Sequence, residues 1–323
     1  MTGRRAIGIV SLGSCLALAA CSGTRDTFLL PGGPIAAEQR AELIQILGWT
    51  MIAILPVFLL VPVLLWRYRY RNRASRYTPD WDRSWLLEIL MWGVPFVIVV
   101  VLSVQLYRTT HQLDPYAPIA SENPPLRVEV VGLDWKFLFI YPDLGIATVN
   151  ELAFPEQTSV ALDLTTDTVM QSFLVSSLAG QIYTMPGMRT KLHLLADAPG
   201  DFEGENTQFN GTGFPQQKFR ARSMTATDFE AWVAQVRAAG QPLTAGSYAL
   251  LAQASTGAEA RRQLGATAPG DGAAAGVMHF SAVEGDLFQT VLHRYMHGAP
   301  VPPSRQPGAV GYDPEAAAGE TTQ

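Results

Sequence analysis

The sequence predicts a membrane protein: a two-helix transmembrane hairpin, then an all-β sandwich or small barrel, then a helical C-terminal region. Three observations predict it. Residues 43–66 and 85–107 are almost continuously apolar and long enough to span a bilayer. From Pro124 the apolar residues alternate with period two in short runs separated by turn residues. After Thr227 the spacing becomes helical.

The first twenty residues form a targeting segment. Arg4 and Arg5 precede an apolar stretch from Ala6 to Ala20, too short for a span and suited to a secretory signal. Leu18-Ala19-Ala20-Cys21 is similar to the lipobox of bacterial lipoproteins, in which cleavage precedes a lipidated cysteine. An ordinary signal peptide that happens to contain Cys21 is the other reading. Cys15 and Cys21 are the chain's two cysteines, so neither a disulfide framework nor a thiolate metal site can form beyond them. The net charge of −5 lacks the basic balance that a nucleic-acid partner needs.

Residues 21–42 form a short external N-terminal segment. The span 43–66 holds 24 residues, about 36 Å of helix at 1.5 Å per residue. Pro56 and Pro62, and Pro95 in the second span, are tolerated in membrane helices. Trp66, Trp85 and Tyr107 stand at span ends, where an aromatic belt belongs. The connector 67–84 carries Arg67, Arg69, Arg71, Arg73, Arg76 and Arg83 against Asp80 and Asp82. Short Arg-rich loops stay in the cytoplasm, so both flanking segments lie outside, in agreement with the signal. Glu88 sits one turn inside the second span. An ionisable residue at that depth is a functional candidate, and a carboxylate favoured by the helix N-terminal dipole accounts for it equally well.

In the external domain, Leu126, Val128 and Val130 alternate, then the phase slips and Val131, Leu133, Trp135, Phe137 and Phe139 continue. This predicts one strand with a bulge or bend at Val130–Val131. Val160, Leu162 and Leu164 alternate again, and Leu192 and Leu194 begin a further run. Tyr141-Pro142-Asp143, Pro186-Gly187 and Pro199-Gly200 are turn signals. Beyond residue 224, Thr227 and Glu230 fit a capping box ahead of Phe229, Trp232, Val233 and Val236. Residues 252–275 are Ala/Gly-rich with weak patterning, 286–297 read as a short helix, and 299–323 read as a disordered tail.

Two spans, an Arg-rich inner loop and an external β domain opening on Val131-Gly132-Leu133-Asp134-Trp135-Lys136-Phe137 resemble subunit II of the haem–copper terminal oxidases. In the cytochrome c oxidase branch that domain is a cupredoxin with a binuclear copper centre, held by a His in an H-S-F run and by C-x-E-x-C-x3-H-x2-M. Here the first position is Gln171, ahead of Ser172 and Phe173. Asn206 and Asn210 stand at the cysteine positions, Gln208 at the glutamate, Phe214 at the second histidine and Gln217 at the methionine. The spacing persists while the side-chain ligands do not, and amides with a phenyl ring cannot replace two thiolates and two imidazoles.

The ubiquinol oxidase branch (cytochrome bo type) is the closer resemblance, carried by the stretches 134–155 and 180–196 and by the region after Thr227. It implies a copper-free cupredoxin-like domain over 120–224 and a helical arm over 225–298. It also implies a complex that oxidises ubiquinol, reduces O2 to water and translocates protons. The haems, the copper and the quinol site would belong to subunit I, with subunits III and IV as further partners, and this chain would carry no cofactor of its own. Cytochrome c would not be the donor. Glu88 would mark the mouth of a proton channel into subunit I. A copper-bearing cytochrome c oxidase subunit fails on the cysteines, and a free-standing envelope lipoprotein does not explain two further spans.

The remaining candidates have structural readings. His293 and His297 lie four apart on the expected helix near Met296, with no third ligand in the sequence. His193 reads as an exposed strand residue, Met185 and Met188 as packing around a turn, and His111 and Asp114 as outer-interface residues. Trp135, near the electron entry route in the copper-bearing branch, reads here as packing.

Overall fold

The computed structural model describes residues 27–70, 72, 81–238, 241–266, 276–296, 301–306 and 311–313. Cys15, Cys21, Arg71, Arg73, Arg76, Asp80 and His297 lie outside the described residues. The chain divides into two units, residues 38–114 and the remainder.

The first unit is helical. Helix α1 (Pro34–Arg67) contains the first predicted span and runs through Pro56 and Pro62; α2 (Trp85–Gln112) contains the second and runs through Pro95. Their side chains are apolar nearly all round and largely uncovered, as in Phe58 at 73% and Trp92 at 78% exposure. Both helices are long and apolar enough to cross a membrane. Gln105 of α2 ties the pair by donating to Glu42 (2.5 Å) and Gln45 (3.2 Å) of α1.

The second unit is built on a six-stranded sheet. Strands β1 (Leu126–Leu133), β2 (Lys136–Tyr141), β3 (Ile146–Val149), β5 (Val160–Thr166), β8 (Thr190–Leu194) and β12 (Met278–Phe280) lie in the order β12-β3-β2-β1-β5-β8. A second sheet, β4-β10-β9, uses Glu151–Pro155, Lys218–Met224 and Gly200–Glu205. The hairpin β6 (Gln171–Phe173) and β7 (Ile182–Thr184) completes the sandwich.

The expected bulge at Val130–Val131 does not form. β1 pairs without interruption with β5 and with β2, and Leu133 opposes Lys136 across a two-residue turn, Asp134-Trp135. The run is therefore two strands, and Trp135 is a turn residue with φ of 96°. The phase slip arises because this sheet is buried on both faces. Val128, Val130, Phe137 and Phe139 enter the core shared with β4 and β10, where Phe173 and Phe219 stack at 4.8 Å. Val131, Leu133, Leu138 and Ile140 enter a second core against the C-terminal arm. A strand covered on both sides reads as a near-continuous apolar run, as the fully buried β2 does.

The C-terminal region mixes helices with strands. Helices α3 (Ala226–Ala238), α4 (Ala245–Leu251), α5 (Gly257–Leu264) and α6 (Leu287–Arg294) alternate with β11 (Pro242–Leu243), β12 and β13 (Ala282–Val283). Helix α3 is capped by Thr225 rather than Thr227: its Oγ1 accepts from the Asp228 amide at 3.2 Å. The weakly patterned stretch holds α5, whose Thr256/Glu259 capping box and left-handed Gly265 C-cap stand in for a long apolar face. Helix α6 starts from the Asp286 cap. Within 299–323, expected as disordered, Tyr312 donates to the Ala249 carbonyl at 3.0 Å.

The segment before α1 packs on the sandwich. The Gly32 amide donates to Ser177 O (2.8 Å) and Gly32 O accepts from the Asp197 amide (2.9 Å). A Cβ on Gly33 would lie 2.0 Å from the Leu195 carbonyl oxygen, so glycine is required there by close approach.

Candidate functional site

The Asn/Gln positions of the 204–219 loop and β6 converge on one buried cluster. Gln217 lies just after the short 3-10 turn Phe214–Gln216 and is fully buried, as is Gln171. The Gln217 Nε2 donates to Gln171 Oε1 (2.7 Å) and Leu133 O (3.1 Å). Its Oε1 accepts from Asn206 Nδ2 (2.9 Å) and Asn210 Nδ2 (2.8 Å). Gln171 Nε2 donates to Leu133 O (3.2 Å) and Thr168 Oγ1 (3.1 Å). Asn206 Oδ1 accepts the amides of Ser172 and Gln208, each at 2.9 Å, and its Nδ2 also donates to Gln208 O.

Four side-chain amides and the Gln208 backbone thus bond to one another, leaving Asn210 Oδ1 buried without a partner. Phe214 is the one expected position outside this network; it is half-buried against Phe209, ring centroids 5.7 Å apart. The loop closes around the turn tryptophan: Trp135 Nε1 donates to Asn210 O at 3.1 Å, and a Cβ on Gly213 would meet the Trp135 ring at 2.1 Å.

This donor set does not fit a copper centre. Neutral amides already bonded to each other offer neither charge nor soft sulfur. Among the described residues, no group of three His, Cys, Asp or Glu is placed to hold a metal.

The other candidates are dispersed. Glu88 lies in the first turn of α2, half-exposed, with Oε1 3.3 Å from Arg83 Nε. His193, expected to be exposed, is half-buried because its Nδ1 lies 3.0 Å from Pro115 O. His111 is exposed and folds back on its own helix, Nδ1 2.7 Å from Tyr107 O. His293 is exposed on α6. Met188 is half-exposed beyond the turn at Gly187, which has φ of +70°.

Three buried charged sites went unread in the sequence, since nothing in residue spacing joins positions so far apart. Glu151 receives His279 Nε2 (2.6 Å), Trp232 Nε1 (3.2 Å) and Arg222 Nη1 (3.1 Å). Burial alone would push this carboxyl up, yet those hydrogen bonds and charges hold it below the usual value. Asp167 is fully buried, paired to Arg294 Nη1 (2.6 Å) and bonded by Tyr248 Oη (2.6 Å). Lys136 is fully buried, its Nζ facing the carbonyls of Asp134, Gln253 and Ser255 and the Ser255 hydroxyl at 2.8–3.1 Å. Burial pushes its ammonium down to about 7.

A β sandwich with an amide-filled loop thus follows two helices that are long and apolar enough to cross a membrane. The chain is 41% identical over 251 residues to cytochrome bo(3) ubiquinol oxidase subunit 2 of Pseudomonas putida, covering 78% of this chain and 79% of that one. It is 38% identical over 289 residues to ubiquinol oxidase subunit 2 of Acetobacter aceti, covering 89% and 87%. The chain belongs to the ubiquinol oxidase subunit 2 family. No family model matches it. Among solved structures, the periplasmic domain of cytochrome oxidase subunit II from Bradyrhizobium japonicum aligns over 36% of this chain and 94% of its own, with TM-score 0.34 and 19% identity.

Proposed function

We propose that this chain is the non-redox second subunit of a terminal ubiquinol oxidase, within a complex that oxidises ubiquinol, reduces O2 to water and translocates protons. The amide cluster carries this reading. In the copper-bearing branch the corresponding loop relays electrons from a soluble donor; here four of those positions, Gln171, Asn206, Asn210 and Gln217, are filled by mutually bonded neutral amides. A donor that delivers electrons directly to subunit I needs no such relay. Haems, copper and the quinol site are assigned to subunit I, and subunits III and IV complete the complex. Gln171, Asn206, Gln208, Asn210, Phe214 and Gln217 are read as former ligand positions retained as scaffold.

The Arg-rich connector supports a cytoplasmic inner loop, with the β domain in the periplasm and the two helices in the inner membrane. Removal of residues 1–20 and lipidation of Cys21 follow from the lipobox-like run. Glu88, beside Arg83 near the connector, is the candidate proton collector: a half-exposed carboxylate can take protons from water and pass them inward.

The test is oxygen uptake by the complex captured through a tag on this chain in mild detergent. Uptake with ubiquinol but not with reduced cytochrome c, in a haem-containing preparation, is expected. Uptake driven by cytochrome c would overturn the reading, and so would a folded preparation without haem.

A further inference from the structure

The polar ends of α1 and α2, away from the Arg-rich connector, frame an open groove of about 590 Å³. On α1, Glu42, Gln45 and Trp49 recur at i, i+3 and i+7 and so share one face. On α2, Val101, Val104, Gln105 and Arg108 share the facing stripe. Gln105 bridges the helices by donating to both Glu42 and Gln45, which fixes the carboxylate in the groove wall. Arg108 is exposed and makes no ion pair with Glu42 among the described residues.

The chemistry is layered along the helix axes. Glu42 precedes the first predicted span by one residue and Arg108 follows the second by one, so both charges stand at headgroup level. Trp49 and Val101 lie seven residues deeper, about 10 Å at 1.5 Å per residue, at acyl-chain level. One cationic and one anionic group lining the same groove above an apolar wall complement a headgroup that carries both charges. An anionic lipid would meet the Glu42 carboxylate as a like charge, and a quinone headgroup would leave Arg108 without an anion.

We propose that this groove holds one zwitterionic phospholipid, its phosphate on Arg108, its ammonium on Glu42, and its acyl chain over Val101, Val104 and Trp49. The proposal requires only that the two helices cross the bilayer, and it stands whether or not Glu88 handles protons.

The test counts lipids retained by the tag-purified complex, using native mass spectrometry and lipid extraction, with haem content reporting assembly separately. The wild type is expected to keep one phosphatidylethanolamine or phosphatidylcholine that Arg108→Gln loses. Val104→Trp, which fills the groove and leaves both charges, is expected to lose it too. Equal zwitterionic lipid counts in all three would overturn the proposal, as would loss of an anionic lipid or a quinone instead. Val104→Cys, made in the otherwise wild-type complex, should not cross-link to a neighbouring subunit; a cross-link would show that protein fills the groove.

Discussion

Gln217→Met tests whether the amide cluster holds the sandwich together. Gln217 is fully buried and makes four hydrogen bonds through one side chain. Methionine matches its length and fills the space, so the change is mainly the loss of those bonds. Leu133 O keeps its bond from Gln171, and Asn206 Nδ2 keeps Gln208 O. Gln171 Oε1 and Asn210 Nδ2 lose their partner, and Asn210 Oδ1 is already buried without one. Two new orphans cost about 1–3 kcal/mol each. Burying an apolar side chain returns about 1.5 kcal/mol.

The net expectation is a loss of about 3 kcal/mol. For a unit of this size that lowers the melting temperature by roughly 6–12 °C, at about 2–4 °C per kcal/mol. The assay is thermal unfolding of the full chain in detergent, followed by near-ultraviolet circular dichroism. Gln217→Glu should lose more, because a carboxylate cannot donate to Leu133 O or Gln171 Oε1. Burial raises its folded pKa, so its stability should improve as pH falls. A Gln217→Met melt within a degree of wild type would refute the reasoning.

Glu88→Ala is expected to slow proton-coupled turnover while leaving subunits and haem in place; unchanged turnover in proteoliposomes would remove Glu88 from the proton path. The Glu151 carboxyl is held below its ordinary value of 4.5, so its contribution is fully present above that value and is lost as pH falls through the folded pKa. Limited proteolysis of the C-terminal arm should therefore accelerate below about pH 4.5 in the wild type, and Glu151→Gln should flatten that dependence. Asp167→Ala strands the mostly buried Arg294 guanidinium and should cost about 3–5 kcal/mol; hydrogen exchange in α6 would rise, and unchanged protection there would contradict the pairing.

The loop at 204–219 shows how far residue order reaches. Its residue types and spacing were legible in the chain, and the resemblance to a copper-binding loop singled out six positions in it and in β6. What those amides do there was not legible, because a hydrogen-bond partner is a matter of direction and distance. Only the fold sets Gln217 between Gln171, forty-six residues upstream, and Asn206. Trp135 was visible as an aromatic residue in an apolar run, but its place in a turn required the pairing of Leu133 with Lys136.

By itself the sequence determined the two apolar helices, the presence of an all-β domain and the α3 face. These rest on local quantities: length, periodicity, and residue type at a given spacing. Tertiary structure alone decided that the large sheet is covered on both faces, that β12 extends it beside β3, and that Glu151, Asp167 and Lys136 are buried with partners up to 128 residues away. Burial on a second face shows in the chain as a broken alternation, which a bulge would mimic. A short strand such as Met278–Phe280 has too few residues to display a period, so its place is set by the edge of β3 that it covers.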